Sequence, residues 1–118
     1  MKYLKLIPLI LLLGVTPAFA FPAAPSKVQV VGVGPHSSEV DLTWQDNSQA
    51  EVGFVINRST DGVNFFAIAT VFQNVTHYED HTAALGTVYY YLVYAYNNSG
   101  NSPNSNIAQF TTPTCTCP

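Results

Sequence analysis

No stretch of this chain beyond residue 20 keeps a helical period of apolar residues over eleven positions. Short runs that alternate apolar and polar residues recur instead, each closed by Gly, Pro, Asn or Asp. "EVDLTWQ" places Val40, Leu42 and Trp44 on one side of an extended segment, and "GFVINRS" does the same with Phe54 and Ile56. Between "GFVINRS" and "FFAIATV" stands "TDGVN", a hairpin signal, because Asp-Gly supplies the positive φ that a tight turn needs. "KVQVVGV", "THYED", a long tyrosine run and "NIAQFTT" complete seven such segments. Seven short strands separated by turn residues predict an all-β, immunoglobulin-like sandwich of antiparallel strands.

The opening "MKYLKLIPLILLLGVTPAFA" has another character. Lys2 and Lys5 precede an apolar run from Leu6 to Val15, and Ala18-Phe19-Ala20 follows. That is the layout of a secretory signal with a small-x-small cleavage site, so residues 1–20 are expected to be removed. The apolar run is too short to span a bilayer core of about 30 Å. Cleavage leaves 118 − 20 = 98 residues, with only Lys27 and Arg58 against all seven acids, a formal charge of 2 − 7 = −5. An acidic domain without a basic stripe is a poor partner for nucleic acid or for anionic membranes. The expected location is secreted, periplasmic or cell-surface, with no membrane contact after cleavage.

A Pro-rich lead-in, residues 21–26, precedes one domain over residues 27–113, and a short tail, residues 114–118, holds both cysteines. Cys115 and Cys117 lie too close to the end to staple the core, which must hold by packing. In an exported protein their expected fates are a strained local disulfide or a disulfide-linked dimer. The chain being a fragment of a larger secreted protein, an enzyme among the alternatives, is a third reading.

"HYEDH" sets His77, Glu79, Asp80 and His81 close in sequence, but at a strand end, where the shared helical face that two such histidines need is lost. The expectation there is a polar loop with Asp80 capping a turn. A zinc site from His77, His81, Cys115 and Cys117 would place a floppy Cys-x-Cys pair among its ligands, poor preorganisation for a metal. No nucleophile motif and no Gly-rich phosphate loop appears. The expectation is a non-catalytic chain with no metal and no cofactor. Asn57, Asn74 and Asn97 each begin an Asn-x-Ser/Thr sequon.

Taken together, these segments resemble a fibronectin type III domain, from Pro25 to Pro113. "VDLTW" is similar to that family's second strand with its buried Trp, here Trp44. "GFVINRSTDGVNF" resembles the C and C′ strands of the version common in exported bacterial proteins. "LGTVYYYLVYAYNNSGNS" resembles the stretch from the loop before strand F into the F–G loop, with Leu85, Thr87, Tyr89, Ala95 and Asn97 in order. The resemblance implies a seven-stranded sandwich whose core includes Trp44, Phe54, Ile56, Leu85, Tyr89, Tyr91 and Val93, with Tyr89 near the tyrosine corner. It also brings the E–F loop and the C-terminus to the same pole.

On strand F the other face is Tyr90, Leu92, Tyr94 and Tyr96. Such a face is ordinarily polar in an antiparallel sandwich. Tyrosine is a good strand former that tolerates half-exposure, which accounts for part of the pattern. The functional expectation is a binding or adhesion module. Its contact surface would be Tyr90, Leu92, Tyr94 and Tyr96, joined by Asn97, Asn98 and Asn101 of the neighbouring loop. The expected partner is an extracellular protein or polysaccharide. The rival expectation is a passive spacer or cell-surface element, which a self-covered tyrosine face would favour.

Overall fold

The computed structural model describes residues 20–114. Residues 1–19, which hold most of the expected secretory signal, and both cysteines lie outside the described residues. Eight strands follow in order: β1 Ser26–Gly32, β2 Val40–Gln45, β3 Gly53–Ser59, β4 Phe66–Phe72, β5 His77–Asp80, β6 Val88–Asn97, β7 Gly100–Asn101 and β8 Ala108–Thr111. They form two antiparallel sheets. One has the order β1-β2-β5, the other β8-β6-β3-β4, with the two-residue β7 also pairing β6. This is the sandwich expected from the alternating runs, with β7 as one small addition.

Alternation decides which side chains go inside. Val40, Leu42 and Trp44 of β2 are buried while Thr43 and Gln45 face out. From the facing sheet, Phe54 and Ile56 of β3 meet Tyr89, Tyr91, Val93 and Ala95 of β6, all buried in the same cluster. Trp44 and Phe54 join the sheets, their ring centroids 5.7 Å apart and tilted by 59°, an arrangement aromatic pairs prefer. The core assignments thus hold, with one correction. Leu85 is only half-buried, outside that cluster, because it sits in the turn before β6 rather than on a strand.

Two glycines carry specific demands. Gly62 takes φ +77° in the Asp61-Gly62 turn between β3 and β4, as the hairpin signal requires. Gly53 lies where β3 runs between β4 and β6. A Cβ there would press into the Val71 carbonyl and stand 3.0 Å from the Tyr96 ring.

The lead-in is fastened to the sandwich. Pro25 is fully buried, and the Asn47 amide donates to the Ala24 carbonyl and to Ser26 Oγ. Phe21 lies against Gly100 of β7. At the opposite pole, the Gly86 N–H donates to the Pro113 carbonyl at 2.6 Å, so the E–F loop and the end of the domain do meet.

Candidate functional site

Cross-strand register builds the outer face of the five-stranded sheet. Tyr90, Leu92, Tyr94 and Tyr96 of β6 stand opposite Ser59, Asn57, Val55 and Gly53 of β3. Gly53 and Val55 in turn stand opposite Phe72 and Thr70 of β4. On the other flank, Tyr96 faces Asn101 of β7 and Tyr90 faces Gln109 of β8. One row across four strands therefore reads Asn101, Tyr96, Gly53, Phe72. Every residue named on this face is uncharged.

The four outward β6 residues are not equally available. Leu92 is only 5% exposed, so the expectation that it offers contact area is corrected. Tyr90 is half-buried, and the β3–β4 turn folds onto it: a Cβ at Gly62 would lie 3.4 Å from its ring. Ser59 builds that turn. Its hydroxyl donates to Asp61 Oδ1 and accepts from the Gly62 N–H. Hydrogen bonds from the Asn64 N–H, the Val63 N–H, the Asn64 amide and Ser59 hold the Asp61 carboxyl well below the usual range. Tyr94 and Tyr96 remain half-exposed at the far end. Beside them stands Phe72, 83% exposed, which sequence reasoning passed over. Its signal was the uncharged run "FFAIATVF", apolar but for Thr70, readable as a strand but not as an edge.

The loop beside these tyrosines is rigidly held. Ser102 and Ser105 hydroxyls accept the Ala95 and Val93 N–H groups, both at 2.9 Å, while their own N–H groups donate back to the carbonyls of those residues. Asn97 is committed to structure. Its amide donates to the Ala20 and Ala50 carbonyls at 3.0 Å, and its Oδ1 accepts from Ser99 N–H and Gly100 N–H. Asn98 and Asn101 are exposed. Of the three sequons, Asn57 is buried and Asn97 is tied down, whereas Asn74 is exposed in a turn at φ 66°.

The inward tyrosines do different work. The Ala84 N–H donates to Tyr89 Oη at 2.8 Å, five residues upstream, which is the tyrosine-corner contact. Arg58 lies over the Tyr89 ring, 4.7 Å from its centroid. Tyr91 donates to Asp80, which also accepts from Arg58 and Thr82. Asp80 does cap its turn as expected, but it is fully buried and tied to the core as well.

His77 pairs opposite Thr43 on the three-stranded sheet. His81 lies beyond it, between Glu39 at 3.3 Å and Glu79 at 3.2 Å. The Glu39 carboxyl is raised above its usual range, first by a hydrogen bond shared with Asp41 and then by burial. This surface cluster is on the opposite sheet from the tyrosines.

No family model and no curated protein sequence matches this chain. Solved structures do. An Fn3-like protein from Clostridium thermocellum is 32% identical, with a TM-score of 0.64, over 81% of this chain and 95% of that one. The chain belongs to the fibronectin type III family. Titin domains A168–A170 align at 22% identity and a TM-score of 0.67, over 78% of this chain and 32% of that one. A β-1,2-glucanase from Parabacteroides distasonis aligns at 22% identity and a TM-score of 0.61, over 80% of this chain and 14% of that one. These two likenesses show the fold alone. Fibronectin type III domains are generally non-catalytic binding or spacer modules, and one fold hosts many functions.

Proposed function

We propose that this fibronectin type III domain is an exported, non-catalytic binding module. Its contact surface is the Tyr94–Tyr96 end of the five-stranded sheet, with Asn98 and Asn101 at its side. The observation that carries the reading is two half-exposed tyrosines on an uncharged sheet face, beside a loop held in place by Ser102 and Ser105. Tyrosine offers large contact area at little rotamer cost and keeps a polar tip in water. The partner class is an extracellular protein or polysaccharide surface, the latter because aromatic rings stack on sugars.

A second reading, a passive spacer, is favoured by one observation: Leu92 is covered by the domain itself and the β3–β4 turn lies against the Tyr90 ring. Binding of the mature protein and of a Tyr94→Ser/Tyr96→Ser variant to native extracellular fractions and to insoluble polysaccharides separates the two. Loss of binding with an unchanged melting curve supports the module. Equal retention of both proteins would leave the tyrosines as strand formers only.

A further inference from the structure

The smaller sheet ends laterally in β1 and β5; the larger ends in β4 on one side and in β8 and the two-residue β7 on the other. An edge strand presents unpaired backbone N–H and C=O groups and templates another strand unless something blunts it. All but β4 are blunted, β7 by being only two residues long. β5 is four residues long and carries Glu79 and Asp80. β8 is also four residues, and its Phe110 ring packs onto Gly32 of β1. β1 carries Lys27 at φ 55°, and its register shifts between Ser26 and Gln29. β4 differs. It is seven residues, "FAIATVF", with no charge, no proline and no glycine. Its register shift at Ile68 still leaves Ala69–Phe72 as a regular run, and Phe66 and Phe72 are 71% and 83% exposed.

We propose that a second copy of this chain pairs here, β4 against β4 and antiparallel, to form a two-fold dimer. The chemistry selects that occupant. The unpaired groups of the edge are backbone groups, so the occupant is an extended strand. The edge carries no charge on a domain of −5, so a charged segment finds no partner on it. A second β4 brings an equally neutral strand and keeps Asp41, Glu79 and Asp80 of both copies on the other sheet, while Asp61 and Glu51 stand beyond its two ends, each tied to a turn N–H. Pairing about Val71 sets outward Thr70 of one copy against outward Phe72 of the other, so faces match. A two-fold contact uses the same surface twice and closes on itself. The two outer faces then become one sheet, with Tyr94 and Tyr96 of both copies on the same side. The dimer does not depend on what those tyrosines bind.

The test is sedimentation of the mature protein over a concentration series, under reducing conditions so that the tail cysteines cannot link copies. Thr70 is exposed and outward, so Thr70→Lys and Thr70→Glu variants are expected to melt like the parent. The parent is expected to shift from monomer to dimer. Each variant alone is expected to dimerise at least roughly tenfold more weakly, because two like charges stand on the diagonal across the seam, each set against the partner's exposed Phe72 ring. An equimolar mixture of the two is expected to recover a mixed dimer. A parent that stays monomeric to millimolar concentration overturns the proposal. So does a dimer indifferent to both substitutions, or a mixture no tighter than either variant alone.

Discussion

Tyr91 donates its hydroxyl to Asp80 Oδ2 at 2.7 Å, and both side chains are fully excluded from water. The bond joins β6 of one sheet to β5 of the other. Arg58 of β3 reaches the same carboxylate oxygen at 2.9 Å, and Thr82 satisfies the other one. A carboxylate inside a small core is tolerable only when its oxygens are met in this way.

Removing the Tyr91 hydroxyl is therefore expected to cost more than removing the Tyr89 hydroxyl. Tyr91→Phe deprives a buried charge of a donor, a loss of about 1.5–3 kcal/mol, whereas Tyr89→Phe loses one neutral hydrogen bond, about 1 kcal/mol. Urea melts of the two variants check the order. Equal costs would mean that the Asp80 network contributes no more than an ordinary bond.

The same network sets a pH window. Burial opposes ionisation of Asp80, but hydrogen bonds from Thr82, Tyr91 and Arg58 outweigh it and its pKa is lowered. A lowered carboxyl stabilises the fold above its unfolded pKa of about 3.9, and that contribution is lost as pH falls through the folded value. Burial first, then Asp80, push the Tyr91 pKa well up. A raised phenol stabilises below its unfolded pKa of about 10 and loses that contribution above it. Denaturant midpoints are expected to be flat between about pH 5 and 9 and to fall on both sides. An Asp80→Asn variant is expected to show a shallower acid limb than the parent.

Trp44→Ala is expected to cost about 3–5 kcal/mol, because it empties a large volume between the sheets, out of roughly 5–15 kcal/mol for a domain of this kind. Thermal unfolding checks it. A parent-like melt would contradict the packing of Trp44 on Phe54.

Gly53→Ala is expected to destabilise by about 1–3 kcal/mol, the usual range for overpacking. The added methyl meets the backbone carbonyl of Val71, which cannot turn aside as a side chain could. It also displaces the Tyr96 ring. A tolerated substitution would show that β3 and β4 separate easily at that point.

Much of this was legible along the chain. Alternation at Val40, Leu42, Trp44, Phe54 and Ile56, with Asp61-Gly62 between two runs, determined strands, faces and one hairpin, because a strand repeats every two residues and a tight turn needs positive φ. Tertiary structure decided the rest. Tyr89 and Tyr91 read alike as inward tyrosines, yet one meets a backbone N–H of the loop that leads into β6 and the other a buried carboxylate on β5 of the other sheet. Leu92 and Tyr96 share a face by parity, yet Leu92 is only 5% exposed while Tyr96 stays half-exposed. Phe72 is exposed only because β4 is the last strand of its sheet. Period fixes the direction in which a side chain leaves its strand; which neighbour covers it depends on sheet order and on loops that return from far along the chain.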